Sequence, residues 1–458
     1  MRHLKMKSLF VTICLVLGVV LNSQAYQANG VAKTISSDGS YLDTSLAVAY
    51  VVAQNQGGWV LTVGAPGATY TWTNQLIVGI PNAFTIQGAA TNNRPTIIFS
   101  SPVRSGIYIG AGNNLVTLKD FIFSVAANGP TANVVDVDGT GVCFRISNCE
   151  FLNSSTGAGT GTAFGIQVGS INGTHAPGPY GLVDHCQFYF PGGQVYNYIN
   201  VFANGNIDGW CWTQPMSWGT TNSVVVESCS FSQPHAAPIS GLCEAMGGAR
   251  LTIRYNNITN IPESTHGIQS GAHSSTLQVE CYQNNWTLND TSDTMSYLYL
   301  QRGGTAVIWS NTVASTSFWN LGGVCQFWVE CAASSIWQSE WCASQLLYPA
   351  NYPGPEQIGQ GVVNGGAGSV PVYIWGNNFP NTTWGNFTLG RDSGDGPFIQ
   401  QGRDIFTNSV MPGYTPLVFP HPLVASGGTS PGNFGSNTNG TTSVIPPTNL
   451  QAHPPTGQ

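Results

Sequence analysis

Charge is what this sequence has least of. Only 7% of its 458 residues are Asp, Glu, Lys or Arg, and beyond Lys7 there are just two lysines, Lys33 and Lys119. Phosphate binding needs a basic stripe, and a chain with a formal net charge of -7 has none, so no nucleic-acid partner is expected. No two of the 11 cysteines stand in a CxxC spacing, which removes the usual thiolate metal sites. Long apolar runs are also missing, except at the start. There, basic Arg2, Lys5 and Lys7 precede an apolar run from Leu9 to Leu21 and small residues at Ser23 and Ala25. That order predicts a cleaved secretory signal of bacterial type over residues 1-25, hence a secreted or extracytoplasmic product without a membrane span.

What is abundant is glycine, 56 residues, alongside Asn, Ser and Thr. This composition suits many short strands and turns rather than helices. Internal repetition then selects a solenoid over two or three separate domains. One template, apolar-x-apolar-x-x-(Asn, Cys or Phe)-x-(apolar or aromatic), recurs in VTLKDFIF, FRISNCEF, GLVDHCQF, VVVESCSF, LTIRYNNI, VECYQNNW, AVIWSNTV and VYIWGNNF. Its unit is about 27 residues, lengthened by insertions, and the long gap after Asn311 predicts an obscured rung. A second strand precedes each template, in GIYIG, VVDVDG, GIQVG, YINVF, GLCEA, HGIQS and YLYLQ, with room for a third.

Stacked strands lie about 4.8 Å apart, so each template position becomes a column along the solenoid. The eighth position, Phe123, Phe151, Phe188, Phe231, Ile258, Trp286, Val313 and Phe379, predicts an internal stack. The sixth holds Phe121, then Cys149, Cys186 and Cys229, then Asn256, Asn284, Asn311 and Asn377. A buried amide can satisfy its donor and acceptor on the turn backbone and on neighbouring rungs, which predicts an asparagine ladder at a corner.

With two recurrent strands and these columns, the chain resembles the right-handed parallel β-helix proteins of the pectin-lyase-like superfamily over residues 40-423. The resemblance implies an all-β, right-handed parallel β-helix, expected as one domain over residues 26-423 and as a monomer. DTSLAVAYVVAQNQ resembles the family's capping helix, with Asp43 a candidate N-cap. GRDIFTNSVMPGYTPLVFPHPL, residues 402-423, resembles a closing segment of its uncharacterised bacterial members; an open coil end would expose unpaired strand edges. Residues 424-458, rich in Gly, Ser, Thr, Asn and Pro, predict a disordered tail. GLVDHCQF resembles a pectate lyase strand but has Leu182 in place of tryptophan. Of the motifs of polygalacturonases only HG is present. The acidic cluster that holds calcium in pectate lyases is not evident, with Asp136 and Asp138 the only close pair on that strand, so the cofactor requirement stays open.

Function must be sought on outward positions, because this fold hosts lyases, hydrolases, adhesins and phage spikes alike. The fourth template position reads Lys119, Ser147, Asp184, Glu227, Arg254, Tyr282, Trp309 and Trp375. Asp184 and Glu227, one rung apart, would have the carboxylate separation of a retaining glycosidase. Arg254 and the aromatics Tyr282, Trp309 and Trp375 would complete a substrate-binding face for sugars. The competing reading is a solvated face with the aromatics under a covering loop. A second group, Glu244, His266, Gln269, His273 and Arg302, falls on three successive rungs and offers base, acid and charge-stabilising roles, with Glu244, His266, His273 and Arg302 as catalytic candidates. The competing reading makes His266 a satisfied corner residue and Arg302 a turn pin. The mature chain holds ten cysteines, and a disulfide is expected among Cys325, Cys331 and Cys342. The expectation is a secreted polysaccharide-recognising protein, a lyase or glycoside hydrolase; the alternative is a non-catalytic adhesin or surface-structural solenoid.

Overall fold

Eight residues that occupy the fifth template position share one backbone conformation. Asp120, Asn148, His185, Ser228, Tyr255, Gln283, Ser310 and Gly376 all have φ between 49° and 66°. A left-handed residue reverses the chain within one step, so each template is two strands joined by a bend, not one strand ending at a corner. Asn, Asp, His and Gly tolerate this region best, and four of those eight positions hold one of them.

The computed structural model describes residues 26-79, 82-110, 112-126, 129-153, 164-169, 178-190, 197-203, 211-234, 241-267, 275-289, 297-315, 325-327, 356-378, 388-389 and 399-425. The predicted signal (1-25), the tail beyond 425, His273, Gln269 and the side chains of Cys325, Cys331 and Cys342 lie outside them. Among the described residues the chain is a parallel β-helix of three-stranded coils. A 13-stranded sheet carries the first half of each template, a 9-stranded sheet the second half, and a 6-stranded sheet, followed by a 4-stranded one from Glu263-Ser264 onward, the strands that precede the templates. The register holds at every rung: Lys119, Ser147, Asp184, Glu227, Arg254, Tyr282, Trp309 and Trp375 pair in succession.

Inside, Phe151 stacks on Phe188 at 4.7 Å between centroids and Phe188 on Phe231 at 4.6 Å, with nearly parallel rings in both cases. Each such contact adds about 0.5-1.5 kcal/mol beyond its buried area. The asparagine ladder is present. Nδ2 of Asn256 donates to Oδ1 of Asn284 (3.0 Å), Asn284 to Asn311 (3.0 Å) and Asn311 to Asn377 (2.9 Å), while each Oδ1 also accepts the backbone N-H of the residue one rung before. Cysteine continues it: the Cys229 N-H donates to Asn256 Oδ1 and the Cys186 N-H to Cys229 Sγ. Cys149, Cys186 and Cys229 are buried free thiols. Leucine at Asn284 would deprive the Asn256 amide and the Ile253 carbonyl of a partner, so Asn284→Leu should lower unfolding free energy by roughly 1-3 kcal/mol. An unchanged denaturation midpoint would refute that expectation.

Four expectations need correction. Helix Tyr41-Gln54 begins earlier than expected: Ser40 is the N-cap, accepting from the Asp43 N-H, and the Asp43 carboxylate turns back to the Asp38 N-H (2.8 Å). No rung is hidden after Asn311, because strand Thr305-Trp309 pairs directly with Val372-Trp375, and between them Cys325-Phe327 pairs in parallel with Tyr299-Gln301 as the preceding strand of that coil. The strand taken to be HGIQS is Glu263-Ser264, two residues before His266. Finally, only Ile405-Thr407 adds a last rung to the long sheet. Residues 411-425 instead run back lengthwise over that sheet's outer face.

Candidate active site

The returning segment decides what becomes of the first candidate face. Tyr414 donates to Glu280 Oε2 (2.6 Å), Arg254 donates to the carbonyls of Leu417 and Val418, the His421 N-H donates to Glu227 Oε1 (2.9 Å), and Arg145 donates to the Leu423 carbonyl (2.9 Å). Asp184, Glu227 and Arg254 are fully buried, and Tyr282 nearly so. Their bonds are internal: Arg254 donates twice to Glu227 Oε2, at 2.9 and 2.5 Å, and once to the Tyr282 hydroxyl, while Arg145 grips both oxygens of Asp184. Tyr282, Trp309 and Trp375 do stack, at 4.6 and 5.7 Å, so that Trp309 spends both faces on its neighbours, and Tyr414 packs edge-on against both tryptophans, which stay partly exposed. From Asp184 to Tyr282 the expected sugar face is therefore an internal seam, closed because outward Leu182 and Val225 offer an apolar bed for Leu417 and Leu423.

One residue of that seam predicts a pH response. His421 is buried with Nδ1 accepting the Leu423 N-H, and burial, reinforced by the Arg254 charge, lowers its pKa to about 3. An unfolded histidine titrates near 6.5. Between these values the unfolded chain binds more protons, so stability should fall as pH drops from about 6.5 towards 3. Asp184 acts in the same sense: burial opposes its ionised form, but Arg145, His185 and Ser147 hold its pKa below the ordinary value. Asp136, raised to about 6 by burial, opposes them over about pH 4-6. His421→Asn, which keeps an acceptor for Leu423, should lose less stability on acidification than the parent. Equal losses in thermal melts at pH 7 and pH 4 would contradict this.

The second candidate group comes together. Glu244, on strand Gly241-Met246 of the 6-stranded sheet, accepts from His266 Nδ1 (2.6 Å) and Arg302 Nη2 (2.8 Å) on the same oxygen, Oε1. Its other oxygen accepts from Asn197 Nδ2 (2.7 Å) on the preceding rung. Arg302 Nη2 stands 3.3 Å from His266 Nδ1, and its Nε donates to the Thr265 carbonyl (2.6 Å), which fixes the guanidinium plane. Side-chain exposures of 10%, 11% and 13% for His266, Glu244 and Arg302 leave their edges reachable while most of each is out of water. Burial opposes the Glu244 charge, yet the His266 hydrogen bond and the charges of His266 and Arg302 outweigh it and hold the carboxyl below its usual range. A carboxylate so held keeps the imidazole oriented with Nδ1-H towards it and Nε2 as the working nitrogen.

The site also contains residues that the sequence reading passed over. Asn197 sits in YINVF's strand, where its pattern looked purely structural. Tyr297 bonds Ser264 and feels the charges of Arg302 and Glu244; burial raises its phenol pKa. Glu244 also ends an outward column in register along the 6-stranded sheet, Tyr108, Asp136, Gln167, Asn200 and Glu244. A cavity of about 380 Å³ opens at its other end beside Tyr108, Asp136 and Gln167. Period-2 alternation across the preceding strands could have revealed that column. Asp136 and Asp138 are engaged by Arg104 (3.6 Å) and by the Tyr108 hydroxyl (3.3 Å).

No family model and no curated protein matches the chain. Among solved structures it is similar to an alginate lyase from Paenibacillus sp. str. FPU-7, with 10% identity and a TM-score of 0.39 over 78% of this chain and 98% of that one. A likeness of that size carries no inference about activity. No helix among the described residues is long and apolar enough to cross a membrane.

Proposed function

We propose that the protein is an exported, monomeric polysaccharide lyase acting on an acidic glycan, with the β-helix of residues 26-423 as its single domain, residues 1-25 as its signal and 424-458 as a tail. The observation that carries the reading is the shared Glu244 oxygen. Two ionisable groups, from positions up to 58 residues away along the chain, meet on the Glu244 carboxylate, mostly desolvated, at the end of a polar column.

In the elimination, His266 Nε2 takes the proton from the carbon next to the uronate carboxylate; the electron pair forms the carbon-carbon double bond as the glycosidic C-O bond breaks, and the leaving oxygen gains a proton. Glu244 holds the imidazole and stabilises the imidazolium that forms. Arg302 places positive charge beside the carbanion-like centre, the step an uncharged site would disfavour most. Tyr297, kept protonated by its raised pKa, is the proton donor to the leaving oxygen. His273 remains a proposed member on its rung position. A hydrolase would need a second carboxyl group facing the first, one protonated as the acid and one ionised, and Glu263, close enough to feel the Glu244 charge, is fully buried and committed to the Cys243 backbone N-H (2.9 Å).

The purified protein should be screened on alginate, polygalacturonate, glycosaminoglycans and neutral glucans, with absorbance for unsaturated uronates and a separate assay for reducing ends. Unsaturated products from an acidic member are expected. Reducing ends without unsaturation would replace the lyase with a hydrolase, and neither product would leave a binding or structural solenoid.

A further inference from the structure

Among the described residues, the returning segment covers the long sheet only as far as Arg145, and beyond Val424, towards the N-terminal cap, they leave a groove of about 750 Å³ on the same outer face. Its floor is two polar columns in register: Thr85, Thr117 and Arg145 in one, and Gln87, Lys119 and Ser147 in the other. His185 stands at the closed end, more than half exposed, on the left-handed bend after Asp184.

The side chains at that end are built to hold an imidazole in place. Asp184 is fully buried and accepts four bonds: from Arg145 Nε (2.8 Å) and Nη2 (2.9 Å), Ser147 Oγ (2.9 Å) and His185 Nδ1 (2.8 Å). The bend itself needs none of this, since serine and glycine occupy it on other rungs. With Nδ1 turned to Asp184, Nε2 is directed away from the carboxylate. The Asp184 hydrogen bond raises the His185 pKa against partial burial, favouring the imidazolium. Lys119, one of two lysines beyond the predicted signal, lies two rungs away, roughly 10 Å by strand spacing. Its neighbour Asp120 lies 3.7 Å from Nζ and accepts from Asn148 Nδ2 (2.7 Å). Counting Lys119, Arg145 and protonated His185 against Asp120 and Asp184, the groove carries an excess of positive charge in a chain whose net charge is -7.

We propose that this groove is a second glycan site, separate from the Glu244 cluster, which binds an oligouronate along the solenoid axis with successive carboxylates on Lys119 and His185. Hydroxyl and amide side chains at each rung suit a polyhydroxylated chain, which carries donors and acceptors on every residue. A peptide would lack its usual means of attachment, because the floor strands are paired on both sides and present no free edge.

The test uses the full chain carrying Glu244→Gln, which removes the proposed turnover, titrated calorimetrically with hexamers of galacturonate and of mannuronate and with cellohexaose as the neutral control. At least one oligouronate should bind in a salt-sensitive way, and cellohexaose should not. Lys119→Ala and His185→Asn, the latter keeping a residue that tolerates the bend, should each weaken the site about tenfold, as loss of a charge-assisted hydrogen bond implies, with the melting midpoint unchanged in Lys119→Ala and only slightly lowered in His185→Asn, where Asp184 keeps Arg145 and Ser147. Failure of both oligouronates to bind, equal binding of cellohexaose, or unaltered isotherms in both variants would overturn the proposal. Because the readout is binding in a turnover-deficient protein, it stands or falls independently of whether the Glu244 cluster is catalytic.

Discussion

His266→Ala should reduce turnover of the glycan found by the screen by roughly 10²-10⁴-fold, the usual contribution of a positioned general base, while the melting midpoint moves little. The variant leaves Glu244 paired with Arg302 and Asn197, so no buried charge is stranded. Arg302→Ala should lose comparable activity and also change the pH-rate profile. The acid limb reports proton uptake by the base His266 or by Glu244, and the Arg302 cation, 3.3 Å from His266 Nδ1 and 2.8 Å from Glu244 Oε1, opposes both; with His266 it holds the Glu244 carboxyl below its ordinary range. Removing Arg302 removes one of those influences, and burial, which pushes the other way, remains. The acid limb should therefore move to higher pH in Arg302→Ala and stay nearer its parent position in Arg302→Lys, where a cation persists without the planar fork. Near-parental rates in His266→Ala, or an acid limb unmoved by Arg302→Ala, would remove these residues from the mechanism.

The columns that make this test possible were readable from the chain because a solenoid converts one-dimensional spacing into contact. Asn256, Asn284 and Asn311 are 27 or 28 residues apart and hydrogen-bond directly, and the same arithmetic brought Glu244 and Arg302 together. Two kinds of information were not in the spacing. The first coils escaped detection because FTIQGAAT, residues 84-91, has alanine and threonine where the template expects its corner and stack residues, and its second strand follows only at Thr96-Phe99. More consequential, alternation says which side chains leave the core but not what lies above them. The fourth-position column does point outward, yet segment 411-425, distant in sequence, covers it from Asp184 to Tyr282. A signal was present: Leu182 and Val225 are apolar at an outward position where Thr117, Arg145, Thr252 and Glu280 are polar. Two adjacent outward apolar residues flanked by polar ones mark a covered surface, whereas Thr85, Thr117, Gln87 and Lys119 mark one left open.

The covered surface supplies the largest expected effect on stability. Arg254 and Glu227 are both fully buried, joined through Nε and Nη2, and the guanidinium also anchors Tyr282 and two carbonyls of the returning segment. Arg254→Met keeps much of the side-chain volume but leaves an uncompensated carboxylate beneath the segment, which should cost about 3-5 kcal/mol. The double variant Glu227→Met with Arg254→Met removes both charges and should recover much of that loss, since replacing a buried pair with apolar side chains is often near neutral. Chemical denaturation distinguishes the cases: a loss below about 1 kcal/mol in the single variant, or a double variant no more stable than the single, would show that the pair does not hold the segment. Limited proteolysis supplies the local readout. If Arg254 is the anchor, cleavage between residues 408 and 425 should accelerate in Arg254→Met before global unfolding begins. The substitution frees the Leu417 and Val418 carbonyls from the sheet, whereas the ladder of Asn256, Asn284 and Asn311 behind it keeps every hydrogen bond.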